Sequence, residues 1–272
     1  MSAAEILQPS RRGVFAGLQP EPILTRIALV MGLSLLLTIP AFLLDGRMFQ
    51  GENVWVKPIK FQLALAIYFG TLAVYAAFLP RGLLETPRLR FFLVVVGFAT
   101  LAEMIWIGGA AMFATASHFN TTPLLYGVYL LMGAFAVLLT SASLVLGLAF
   151  WRDRGSALPE AVRLSLSLGL ILTFALTLIV AGTLSARSGH FVGTPTQGAA
   201  LPLLGWSREV GDLRVAHFFA THALHVVPLF GIAALTLRRD RPARILVWAG
   251  AGAFAAFTIF TFVQALSGRP FP

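Results

Sequence analysis

The sequence predicts an all-α protein: a seven-helix transmembrane bundle, with the N-terminus in the cytoplasm and the C-terminus outside. Three observations lead there. Hydrophobic residues make up 58% of the chain and charged residues 11%, whereas a soluble domain has roughly 45–50% apolar and about 25% charged residues. The apolar residues are gathered into long blocks bounded by charges, Pro and Gly. The basic residues are divided unequally between the two sets of loops that those blocks define, which is the signal that orients membrane proteins.

Taken in order, residues 1–23 are polar, carry Arg11 and Arg12, and lack the small-residue cleavage site of a secretory signal. They are expected to form a short cytoplasmic tail. A membrane domain over 24–268 follows. Its apolar blocks run over about 24–44, 59–80, 90–113, 122–150, 164–184, 213–237 and 244–266, each near the ~20 residues that a spanning helix needs. Pro80-Arg81, Thr86-Pro87-Arg88, Arg152-Asp153-Arg154-Gly155 and Arg238-Arg239-Asp240-Arg241-Pro242 punctuate them. The fourth block is longer than a bilayer requires and should tilt or protrude.

Arg11, Arg12, Arg26, Arg81, Arg88, Arg90, Arg152, Arg154, Arg163, Arg238, Arg239, Arg241 and Arg244 fall to the tail and the short even-numbered loops. Arg47, Lys57, Lys60, Arg187, Arg208, Arg214 and Arg269 fall to the other side. The short, Arg-rich loops are therefore expected in the cytoplasm. Lys57 and Lys60 are the only lysines, a bias that suggests a GC-rich bacterial genome and hence the bacterial cytoplasmic (inner) membrane. The net charge of +9 flanks the apolar blocks, so lipid and not nucleic acid is the expected partner. With no Cys, disulfides, thiolate zinc sites, Cys-bound iron–sulfur clusters and C-x-x-C-H haem attachment are excluded.

The outer loops are unusual. The first reads D-G-R-M-F-Q-G-E-N-V-W-V-K-P-I-K-F over 45–61, and the fifth is a Gly- and Pro-rich stretch over 187–211. Loops this long without evident secondary structure are often functional. Trp55 and Trp206 fit an aromatic belt. A short echo, H-F-x-x-T-P, occurs at His118–Pro123 and at His190–Pro195, as a helix-pair repeat would produce.

The candidate site is built around Gly211–Pro228, the first half of the sixth span, which carries Asp212, Arg214, His217, His222 and His225. Ionisable side chains inside a bilayer are costly and usually functional. At about 1.5 Å rise per residue, His222 and His225 lie roughly 12–18 Å below the outer surface and Glu103 of the third span roughly 15 Å below it. His118 and His190 fall at the outer mouth, with His217 between. At about 100° per residue, Arg214, His217, Thr221 and His225 share one face, flanked by His222. Pro228 cannot donate to the carbonyl of Leu224 and should bend the helix there, which a membrane tolerates where the carbonyl meets a polar partner. Asp212 is expected to cap the sixth helix. Arg208 and Glu209 are expected to be solvated loop charges.

Several readings of this constellation stay open. Glu103, His222 and His225, with His217, His118 and His190 as further ligands, suit a transition metal or haem b in a redox or metal-assisted role. The same groups suit a proton-coupled transporter or sensor for a small anionic or lipid-like ligand. They also suit plain interhelical hydrogen bonding in an assembly partner of a membrane complex. Lys57, Lys60 and Arg214 are the anion-binding candidates, because Lys60 and Arg214 open helices where a cation opposes the macrodipole. Snorkelling to lipid phosphate is the simpler role for them.

E-N-V-W-V-K-P-I-K-F, A-S-H-F-N, L-P-L-L-G-W-S-R-E and G-D-L-R-V-A-H-F-F-A-T-H-A-L-H resemble segments of a group of uncharacterised bacterial multi-pass membrane proteins. The resemblance covers most of about 45–230 and implies a membrane location but no chemistry. A looser similarity is to seven-helix membrane hydrolases with His-x-x-x-His on the last span. Here the pair is His222-x-x-His225 on the sixth span, and the seventh offers only Gln264 as a polar candidate.

Overall fold

In the computed structural model, residues 19–187, 189–202, 204–237 and 240–272 are described. Most of the N-terminal tail, with Arg11 and Arg12, and the pair Arg238 and Arg239 lie outside them. The chain forms α1 (Pro22–Leu44), a hairpin of β1 (Met48–Phe49) and β2 (Glu52–Asn53), α2 (Val56–Ala76), the single turn α3 (Arg81–Leu84), α4 (Pro87–Met112), α5 (Pro123–Arg152), α6 (Glu160–Ser185), β3 (Phe191–Val192), β4 (Gly211–Asp212), α7 (Leu213–Ala234) and α8 (Asp240–Leu266). All helices except α3 are long and apolar enough to cross a membrane. The protein is therefore an all-α, multi-pass membrane protein, as its composition predicts.

Proline sets several helix starts. Pro22, Pro87 and Pro123 open α1, α4 and α5 at first-turn positions, where a missing N–H costs nothing and φ is already helical. Helices α2, α4, α6 and α8 start about one turn before the apolar blocks do. Apolar residues mark the hydrocarbon layer, while the helix continues into the interface, where Lys57, Arg88, Arg90 and Arg163 occupy its first turn. Helix α7 ends at Ala234, earlier than the apolar block suggests, because Leu235–Leu237 close a turn with i→i−3 bonds.

Two packed groups make up the bundle. Leu24 of α1, Phe69 and Leu72 of α2, Leu93 and Val96 of α4, and Leu146 and Phe150 of α5 form one core. Ala161 and Leu164 of α6, Ala223 and Val227 of α7, and Val247 and Ala251 of α8 form the other. Leu166 and Leu170 of α6 and Leu224 of α7 reach into the first core and join the two. Small residues allow close approach. A Cβ at Gly169 would meet the Ala223 carbonyl at 3.0 Å and Pro228 Cδ at 3.1 Å, and one at Gly231 would collide with Ser165. Leu37, Phe91 and Ile105 face outward, more than 70% exposed, as expected of side chains that meet lipid.

Pro228 leaves the Leu224 carbonyl without its helical donor, as expected, and the structure supplies a replacement. The Tyr75 hydroxyl of α2 donates to it at 3.0 Å. This bond ties α2 to α7 at the level of His225. Tyr68 plays a related part in α5: the Ser143 amide donates to its hydroxyl at 3.2 Å, and that hydroxyl donates to Thr140 O at 3.2 Å and more distantly to Leu139 O. Replacing Tyr75 by Phe is expected to destabilise the protein by about 1–2 kcal/mol, because it strands a buried carbonyl. Thermal unfolding in detergent should show this loss, with Tyr126→Phe as the silent control.

The long loops are ordered by their own side chains. Gln50 and Gly51, at φ 52° and 84°, form a two-residue turn that joins β1 to β2, a conformation Gly adopts without strain. Asp45 holds this hairpin, accepting from Arg47 and from Trp55 Nε1 at 2.8 Å. In the fifth loop, the Glu209 carboxylate accepts from the backbone amides of Thr196, Gln197 and Ala199. Those bonds hold its pKa down to about 2. Glu209 organises the loop from its exposed surface, a role beyond the solvated charge expected. The H-F-x-x-T-P echo has no common structure: Thr122 stands at the N-cap position of α5 without a side-chain capping bond, whereas Phe191 and Val192 pair with β4.

Candidate functional site

The α1–α2, α4–α5 and α6–α7 loops meet on one end of the bundle, the hairpin face. Arg47 donates to the Met112 carbonyl and the Leu213 amide to the His190 carbonyl. Beneath this face, α2, α4 and α7 carry a cluster of polar side chains that includes most of the candidate residues.

Lys57, in the first turn of α2, is its centre. Its ammonium donates to His118 Nδ1 at 3.0 Å, which leaves the imidazole proton on Nε2. Ser117 Oγ lies 3.1 Å from the same nitrogen. Rings of Phe61, Phe119 and Tyr129 surround His118 at centroid distances of 5.8–6.5 Å. Burial, then the charges of Lys57 and His217, push the pKa of His118 down to about 3, so it is neutral over the physiological range. Lys57 also interacts electrostatically with Glu103 and, at the mouth, with Glu52. Glu103 is 5% exposed. Among the described residues it makes no hydrogen bond, and Lys57 is the charge acting on it. Depth matching paired Glu103 with His222 and His225, but the fold gives it Lys57, because α2 lies between α4 and the polar face of α7.

A chain of imidazoles leads inward from His118. His118 is coupled to His217, His217 to His222, and His222 to His225, whose rings lie 5.4 Å from His222. The Phe218 carbonyl can only accept, so His222 Nδ1 donates to it at 2.6 Å and His222 Nε2 carries the lone pair. Thr71 Oγ1 donates to the Ile67 carbonyl and therefore accepts from His225 Nε2 at 3.1 Å. That leaves His225 Nδ1 as a bare acceptor, and it and His217 Nδ1 are buried without a hydrogen-bond partner. Buried polar atoms without partners are rare and call for an explanation such as a bound molecule or a moving proton.

The mouth is more fully occupied. Asp212, 1% exposed, caps α7 by accepting from the Arg214 amide, and it also accepts from the Ser207 amide and the Arg214 guanidinium. Arg214 donates to the Gly205 carbonyl as well and lies 5.3 Å over the Phe191 ring. Its fork is therefore engaged within the protein. Lys60 lies 3.5 Å from Glu52, with both side chains about half exposed. His190 sits among Arg214, Asp212, Glu52 and Lys57, with its pKa pushed downward by burial first and Arg214 second. Of the three cations expected to bind an anion, only Lys57 has no carboxylate in direct contact among the described residues.

The expected metal or haem ligands do not converge. Among the described residues no group of three or more His, Asp or Glu could hold a metal ion. His118 Nδ1 faces an ammonium, and the lone pairs of His222 and His225 give two donors where a zinc-type site needs three or four protein ligands or water. The described residues therefore offer no metal site built from three or more such ligands. The sequence reading also missed Thr71, Tyr75 and Gln62. Gln62 Oε1 accepts from Thr38 Oγ1 at 2.6 Å in a buried α1–α2 contact. Polar residues at mid-span of α2 were the available signal.

The neutral state of His118 has a consequence for acid stability. Its folded value of about 3 lies below the ordinary 6.5. Its contribution is therefore full above about pH 6.5 and is lost as pH falls towards about 3, where the unfolded chain binds the extra proton. Acid unfolding of wild type is expected to be steeper across this window than that of His118→Gln, measured by helix content against pH.

Compared with protein-family models, characterised proteins and solved structures, the chain matches none.

Proposed function

We propose that this protein is a proton-coupled transporter or sensor that takes a small carboxylate from the side of the hairpin face. The observation that carries the reading is Lys57, a partly buried cation set between a neutral imidazole and the buried carboxyl of Glu103. While Glu103 is ionised, it neutralises Lys57. When Glu103 takes a proton, Lys57 keeps its hydrogen bond to His118 and presents an uncompensated charge inside a low-dielectric bundle, where an anion gains most from it. One anion and one proton then bind together, and charge balance around Lys57 is restored.

The surroundings support this class of ligand. Phe61, Phe119 and Tyr129 offer an apolar wall beside the ammonium, as a ligand with one charged end and a carbon body requires. His217, His222 and His225 offer unfilled acceptor sites deeper in, a route by which a proton could pass. His118 is neutral far below the working range, which leaves Glu103 as the group whose proton is coupled to the anion. The unequal arginine distribution supports an N-terminus in the cytoplasm and, with it, a polar cluster that opens to the outer side.

The test is titration of the nanodisc-embedded protein with acetate, benzoate and inorganic phosphate, followed by Trp fluorescence. Trp106 reports on the site, because its Nε1 donates to the Ser117 carbonyl next to His118. Benzoate and acetate are expected to bind ahead of phosphate. Absence of saturable carboxylate binding at any pH where the protein is folded contradicts the reading.

A further inference from the structure

We propose a second site, on the face opposite the hairpins, that holds the phosphate headgroup of an anionic phospholipid. A cavity of about 420 Å³ lies where the α5–α6 loop meets the first turns of α8, within the size range of small-ligand pockets. Its polar wall is Arg154, Arg163 and Arg244 with Ser156, and its membrane-side wall is Trp151 and Trp248.

The arginines are only partly used by the protein. The Arg154 side chain makes no hydrogen bond or ion pair among the described residues. Arg163 donates from Nη1 to the Phe150 and Trp151 carbonyls, which closes the C-terminus of α5 and holds this guanidinium at the cavity edge. Arg244 lies 3.6 Å from Glu160, with both side chains about half exposed. An exposed pair of that kind is worth little, so a phosphate can compete for Arg244. Among the described residues of the lining, Glu160 is the one carboxylate against three guanidiniums. The first turn of α6 adds unfilled donors, because Pro159 at its N-cap makes no side-chain capping bond.

The two tryptophans point to lipid and not to a dissolved anion. They meet edge to face at 6.2 Å, each nearly half exposed, at the level where α5 ends and α8 begins. Trp rings favour the headgroup level of a bilayer, and basic pockets between spans at that level take anionic headgroups. A phosphodiester seated among the arginines would place its glycerol against the indoles and its acyl chains along the outer surface of the bundle.

The experiment compares wild type with Arg154→Ala/Arg244→Ala, each purified in detergent after exposure to equimolar phosphatidylglycerol and phosphatidylcholine, with retained lipid measured by native mass spectrometry. Wild type is expected to retain phosphatidylglycerol at least about tenfold over phosphatidylcholine, and the double variant to lose that preference. Glu160→Gln removes the competing carboxylate without touching the cation set, so it is expected to raise retention; it gives a second reading if the double variant unfolds. Equal retention of both lipids by wild type, or retention unaffected by any variant, overturns the proposal. Displacement of phosphatidylglycerol by millimolar inorganic phosphate, with the same dependence on Arg154 and Arg244, overturns the lipid assignment in favour of free phosphate.

Discussion

Replacing Asp212 by Ala is expected to destabilise the protein by about 3 kcal/mol, the low end of the range for breaking a buried ion pair. The low end applies because the Arg214 side chain is 29% exposed and keeps some solvation, although the Asp212 side chain has none. The loss has three parts. The Arg214 guanidinium loses its carboxylate, the Arg214 amide loses its cap, and the Ser207 amide loses its acceptor. The last two matter because β4 and the start of α7 are a continuous piece of chain, and Leu213 is held by the His190 carbonyl. Asp212→Asn is expected to recover much of the capping but not the ion pair, and so to fall between wild type and Ala. Thermal unfolding of the three proteins gives the order. Equal unfolding temperatures for Asp212→Ala and wild type would mean that the fifth loop is held elsewhere.

Lys57→Met is expected to reduce carboxylate binding by about thirtyfold or more, the equivalent of one charge-assisted hydrogen bond of about 2 kcal/mol. It should also abolish any pH dependence of what binding remains. Met replaces the aliphatic stem, which is the packed part of a Lys side chain. Its cost to the fold should be small, because Glu103 is then free to be neutral. The double variant Lys57→Met/Glu103→Gln separates the two effects. It is expected to be folded and to bind no carboxylate. Arg214→Gln, by contrast, should disturb the fifth loop and leave the pH dependence in place, because Arg214 is already engaged by Asp212 and Gly205.

The bundle was legible because a bilayer imposes a length and a polarity on each span, and Pro22, Pro87 and Pro123 mark where three of the helices begin. The Leu224 carbonyl was legible as a group in need of a donor, but its donor was not. Tyr75 is 149 residues away, and nothing local says which helix will face α7. The same limit explains Glu103. Helix rise gives depth and helical period gives a face, but neither gives the order of helices around the bundle, and that order puts Lys57 and not His222 beside Glu103. Lys57 itself looked like a loop cation because the apolar block begins after it, whereas the helix starts at Val56. The organising role of Glu209 was missed because a carboxylate surrounded by backbone amides leaves no mark in composition.

Proton linkage of carboxylate binding tests the central claim most directly. Benzoate affinity is to be measured across a pH series for wild type and Glu103→Gln in nanodiscs. Wild-type affinity is expected to rise by up to about tenfold for each pH unit lowered, the limit for one coupled proton. Glu103→Gln, whose side chain is permanently neutral, is expected to bind at the wild-type low-pH affinity at every pH. An equal pH slope in the two proteins, or affinity independent of pH in wild type, would contradict the assignment of Glu103 and Lys57 as a proton-gated anion site.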